Sequence, residues 1–80
     1  MQTIREIAKI IQSNNPTIQL YWIESKGVIG YWNHSLNRVQ LLVSRLLDGR
    51  WAPMPELLIN GEPPFSADEW EPIRYEWIYG

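Results

Sequence analysis

Five tryptophans and four tyrosines stand among 80 residues that include no cysteine, so this chain must be held together by side-chain packing, with no disulfide to help. A chain of this length makes one domain, 1–80, and buries only about 60–65% of the surface it exposes when unfolded. Each Trp, Tyr or Phe can remove about 150–250 Å² from water, which makes the aromatic residues the main core material. With 45% of the residues apolar, a folded state is expected.

The missing cysteines also exclude a thiolate nucleophile, a cysteine-ligated zinc and an iron–sulfur site, and they suit a reducing cytoplasm. The N-terminus carries Glu6 and Lys9 where the apolar stretch of a signal peptide would lie, and no apolar run approaches the ~18 residues of a membrane span. Neither a leader nor a span is expected. The net charge is only −2, yet residues 1–50 hold six basic and three acidic side chains while 51–80 hold one and six. The chain therefore divides into a body over 1–50 and an acidic, proline- and aromatic-rich segment over 51–80. Such a split suits fold-back, head-to-tail association or simply solvated faces.

Ile4, Ile7, Ala8, Ile10 and Ile11 recur at the α-helical period opposite Arg5, Glu6, Lys9 and Gln12, predicting an amphipathic helix over 4–13. Thr3 and Glu6 have capping-box spacing at its start, and Asn14, Asn15 and Pro16 end it. Two β-branched and aromatic runs, 17–24 and 28–33, flank Ser25-Lys26-Gly27, which predicts a hairpin with a three-residue loop. In that register Tyr21 faces Tyr31, Ile23 faces Ile29, and Trp22 lies across Gly30, whose missing side chain leaves room for the indole. Both faces of the hairpin are then apolar and need cover.

The run 36–48 places Leu36, Val39, Leu42, Val43, Leu46 and Leu47 on one helical arc, with Ser35 as N-cap and Gly49 as stop, predicting a second helix. Leu41 falls on its polar side beside Arg38 and Arg45. After Trp51 come five of the six prolines, predicting extended or turning chain, with a short strand over 56–59 and a turn at Asn60-Gly61. Ser66 and Glu69 form a second capping-box pair whose helix Pro72 confines to about one turn. Ile73, Tyr75, Trp77 and Tyr79 alternate with Arg74, Glu76 and Ile78, predicting a C-terminal strand. The fold class expected is α+β: a small two-layer domain in the order helix, β-hairpin, helix, irregular segment, strand, with a mainly antiparallel sheet.

Catalysis needs convergent ionisable groups, and the supply is His34 and scattered carboxylates. His34 sits where a turn or capping residue is ordinary. Asp68, Glu69 and Glu71 lack the spacing of a calcium loop, and no glycine-rich phosphate loop is present. No cofactor, metal or catalytic residue is therefore expected. Arg38 and Arg45 are too few to grip a phosphate backbone, which argues against nucleic acid as partner. What remains is a non-enzymatic protein-interaction module, an adaptor, regulator or assembly factor. It would dock another protein or its own copy through Tyr21, Ile23, Ile29, Tyr31 and Leu41, with Arg38, Arg45, Trp77 and Tyr79 contributing. The alternative is a small-ligand protein or enzyme whose pocket lies under the 51–72 segment, with His34 and Glu69 as its polar groups.

Overall fold

A computed structural model describes residues 2–80. The chain is α+β, with two helices on one face of a five-stranded antiparallel sheet and an irregular proline-rich layer on the other. Helix α1 (Ile4–Asn14) begins at the expected capping box: Glu6 N–H donates to Thr3 Oγ1 (3.2 Å) and Thr3 N–H to Glu6 Oε1 (2.9 Å). Asn15 Nδ2 donates to Ile11 O and closes the other end. Ile4 and Ala8 are buried, with Ile7 and Ile11 packed beside them, whereas Ile10 is left in solvent.

Strands β1 (Leu20–Ile23) and β2 (Val28–Asn33) form the expected hairpin in a register one residue removed from the predicted one. Glu24 leaves the strand and joins Ser25 and Lys26 in a 3-10 turn, its carbonyl accepting from Gly27 N–H, and Gly27 takes the left-handed conformation (φ 65°). A four-residue loop pairs Tyr21 with Gly30, Trp22 with Ile29 and Ile23 with Val28. Because side chains alternate across a strand, one step re-sorts both faces. Leu20 and Trp22 now share the helix side with Ile29 and Tyr31, while Tyr21 and Ile23 share the opposite side with Val28. The expected Tyr21/Ile23/Ile29/Tyr31 face does not exist.

The predicted second helix is strand β3 (Arg38–Arg45), paired with β2 on one side and β4 (Trp51–Pro53) on the other. Its register to β2 shifts between Ile29 and Gly30, so that Leu42 is an extra, bulged residue. Val39 and Leu41 pack in the layer opposite the helices, and beyond the bulge Val43 packs on the helix side. Of the predicted helical arc, Val39 and Val43 pack in the two cores while Leu36 and Leu47 lie in solvent, and Leu41, off that arc, is buried. The cap signals have a parallel explanation, since Ser35 and Gly49 belong to hairpin turns. Asn33 Oδ1 accepts from Leu36 N–H with Asn37 at φ 55°, and Gly49 (φ 89°) donates to Leu46 O in the turn to β4.

The predicted C-terminal strand is also corrected. Only β5 (Glu71–Pro72), just before it, pairs with β1, giving the sheet order β4-β3-β2-β1-β5. Ile73 N–H donates to Leu20 O, and the chain then winds into helix α2 (Tyr75–Tyr79). Trp77 stacks on Trp22 at 5.3 Å and 7°, Ile73 and Ile78 are buried, and Tyr75 lies tilted against Tyr79 one turn away. The alternation read there is the i, i+4 pairing of a short helix.

The acidic segment closes the second face. Met54, Phe65 and Trp70 cover Ile23, Val28 and Leu41, with Phe65 edge-on to Trp70 at 5.8 Å. The space above Gly30 is filled by Trp70, where Trp22 was expected: a Cβ on Gly30 would stand 3.0 Å from the indole Cη2. Ser66 and Glu69 form their capping box on a 3-10 turn over Ala67–Glu69. No strand forms over 56–59 beyond a bridge between Ile59 and Glu62.

Candidate docking surface

Most of the residues expected at a partner interface belong to the two cores. Ile29 is fully buried, Ile23 is 7% exposed, and Leu41, expected on a polar helix face, is 8% exposed beneath the proline-rich layer. Tyr21 leans on Trp32, and Tyr31 donates to Gln40 Oε1 (3.0 Å). Arg38 and Arg45 lie at opposite ends of β3, roughly 23 Å apart along an extended chain. Arg38 is paired with Glu56, and Arg45 covers Trp51. Trp77 is stacked on Trp22, and Tyr79 shares a hydrogen bond with Ser13 and lies under Lys9. These residues build no common surface.

The polar groups of the alternative are no closer together. His34 is exposed in the β2–β3 turn, edge-on to Trp32. Glu69 sits by Lys26, at the other end of β2, and is held by that lysine and by Ser66. Six strand residues, roughly 20 Å, separate the two positions. The space under 51–72 is filled by Met54, Phe65 and Trp70. Of the acidic group, Asp68 accepts from Ser66 Oγ and Glu71 from Trp22 Nε1.

The apolar surface that does stand out was hidden by reading 56–59 as a strand. Leu57, Leu58 and Ile59 are 74%, 54% and 62% exposed, three consecutive aliphatic side chains presenting on the order of 300 Å², the lower end of the largest apolar patch on a typical monomer. Both ends of this ridge are anchored. On one side Glu56, with a side chain only 4% exposed, accepts from Arg38 Nη2 (2.6 Å) and from Leu41 N–H (3.1 Å). The Arg38 guanidinium, aided by that backbone donor, holds the Glu56 carboxyl below its usual range against the opposing effect of burial. On the other side Ile59 and Glu62 exchange two backbone hydrogen bonds (2.7 and 3.0 Å) around Asn60 (φ 53°) and Gly61 (φ 80°), a type I′ turn. An Asn-Gly pair tolerates these left-handed angles, which explains the turn.

Both edges of the sheet are poorly suited to pairing with another strand. The outer strands are two and three residues long, and each carries a proline. Met54 N–H donates to Leu42 O and Ile73 N–H to Leu20 O, so by alternation Pro53 and Pro72 occupy the positions whose N–H would point away from the sheet. Their missing donors blunt both edges.

A concavity of about 690 Å³ lies between the end of α1, the 16–19 turn and α2. Its lining includes Gln12, Thr17, Ile18, Gln19, Tyr75 and Tyr79, and no lining residue is charged. Among the described residues no helix is long and apolar enough to cross a membrane, and no cluster of His, Asp and Glu could hold a metal ion. No family model matches the chain, and no curated protein or solved structure is significantly similar to it.

Proposed function

We propose that the protein is a non-enzymatic interaction module that docks on another protein through Leu57, Leu58 and Ile59. The observation that carries this is the ridge itself, three adjacent aliphatic side chains held in solvent by an anchor at each end. Exposure of this kind costs solubility, and a fixed ridge loses little freedom when a partner covers it. Full burial of an aliphatic side chain contributes about 1.5–3 kcal/mol, so three together supply the gross energy of a small hot spot before the cost of association. The absence of cysteine suits a cytoplasmic setting, and the adaptor, regulator or assembly roles all fit a chain in which no cluster of His, Asp and Glu converges among the described residues.

The test is chemical crosslinking of the tagged protein in its native cell, followed by mass spectrometry, beside a Leu57→Ser/Leu58→Ser/Ile59→Ser variant. One partner crosslinked through the ridge and lost in the variant is expected, with the melting temperature unchanged because exposed positions shift stability by only about 0.5 kcal/mol. Sedimentation over a range of concentrations separates a foreign partner from a second copy. A complex of equal yield in the variant would sink the proposal.

A further inference from the structure

We infer that the uncharged groove between α1, the 16–19 turn and α2 is a binding site for a neutral oligosaccharide. It is an open groove of about 690 Å³, and the class of ligand follows from what lines it.

The first element is a platform. Tyr75 is 72% exposed although its ring lies against Tyr79, with the centroids 4.6 Å apart and the planes tilted by 30°. One face of Tyr75 is thus braced by Tyr79, itself tied to Ser13 Oγ at 3.0 Å. The other face is open, and its electron-rich π surface attracts the polarised C–H face of a pyranose ring.

The second element is a pair of fixed acceptors. Gln12 Nε2 donates to Asn15 O (2.9 Å) and Ile18 O (3.0 Å), and Gln19 Nε2 donates to Leu20 O (2.9 Å) and, longer, to Ile73 O (3.5 Å). Carbonyl oxygens only accept, so these bonds fix which end of each amide is nitrogen. Both donors of each side chain are engaged, and each Oε1 has no hydrogen-bond donor on it among the described residues. A ligand for this groove supplies hydroxyl donors to two held acceptors and a C–H face to a tyrosine. Thr17 adds a hydroxyl that can serve either way.

Charge narrows the class. No lining residue is ionisable at neutral pH, and the flanking cations Lys9 and Arg74 are turned onto the Tyr79 and Trp77 rings, at 5.9 and 5.8 Å. A phosphate, carboxylate or nucleic acid would find no counter-ion among these residues, whereas a neutral sugar needs none. This site is separate from the Leu57–Ile59 ridge, and the two proposals stand or fall independently.

The experiment is titration of the ¹⁵N-labelled full chain with maltotriose, cellotriose and N,N′,N″-triacetylchitotriose, with hexaproline and dextran sulfate as comparison ligands. At least one trisaccharide should move the side-chain amide signals of Gln12 and Gln19 saturably, with a dissociation constant in the millimolar range or tighter. That affinity should not change between about 50 and 500 mM NaCl, as expected for an uncharged ligand. Tyr75→Ala should weaken it at least about tenfold, with the amide spectrum unchanged away from the Tyr75–Tyr79 contact because the side chain is exposed; Tyr75→Trp should preserve it. The inference is overturned if none of the three sugars gives saturable shifts at about 20 mM, or if Tyr75→Ala binds as well as the parent. It is equally overturned if hexaproline or dextran sulfate occupies the groove in preference to every sugar.

Discussion

At the scale of single residues, the two sides of the molecule meet at Gly30. A Cβ there would stand 2.7 Å from Gln40 O, 2.8 Å from Val39 Cγ1 and 3.0 Å from Trp70 Cη2. The first neighbour is backbone in the middle of the sheet and cannot move without breaking pairing. Gly30→Ala is therefore expected to destabilise by about 1–3 kcal/mol, read as a lower urea midpoint with an unchanged slope, while Gly61→Ala should cost mainly the strain of its positive φ. Equal loss at the two sites would show that the groups crowding Gly30 give way to a methyl group at little cost. The need for a glycine at 30 was legible in the sequence, as was the idea of an indole above it. Which indole was not, because a one-residue change in loop length moves Trp22 to the other face.

At the scale of elements, β3 shows how local chemistry can support two answers. Ser and Asn before an apolar run and Gly after it suit a helix with two caps or a strand between two turns. The choice fell to pairing, since β2 is central and needs a neighbour on each side. The Leu42 bulge lets Val39 and Leu41 face one core and Val43 the other. Deleting Leu42 forces one half of the strand to present its side chains to the wrong layer, a loss on the order of 3–5 kcal/mol. Leu42→Ala keeps the bulge and trims a half-buried side chain, costing about 1–2 kcal/mol. Chemical denaturation of both variants checks this, and a deletion no worse than the alanine variant would mean that the bulge has no role in sorting the faces.

For the whole molecule, three carboxyls tie distant or terminal pieces together: Glu56 on Arg38, Glu69 on Lys26 and then Ser66, and Glu6 on Thr3. Each is held below its usual range in the folded state, so below neutrality the unfolded chain binds more protons, and stability rises with pH through that window. Their contribution is complete above an unfolded glutamate pKa of about 4.3 and is lost as pH falls through the lower folded values. Glu56→Gln keeps an acceptor for Leu41 N–H but discards the charge facing Arg38. At pH 7 it should cost about 1–3 kcal/mol, and its melting curve should fall less steeply than the parent's below pH ~4.3, the two converging in acid. Parallel curves would remove Glu56 from the account.

The sequence by itself determined the α+β class, helix α1 with its capping box, the existence of the first hairpin, the Asn60-Gly61 turn and the Ser66 cap. These depend on neighbours within a few residues, through side-chain oxygens bonding nearby N–H groups and glycine or asparagine accepting positive φ. Tertiary structure alone decided the register of that hairpin, the strand identity of 38–45, the helix at 75–79 and the covering of the second face. Those choices turn on which surface each apolar side chain finds, a property of residues far apart in the chain. The exposed ridge at 57–59 was illegible for the same reason. Leu57, Leu58 and Ile59 look like core material in any local window, and only the finished packing, with both sheet faces already covered, leaves them outside.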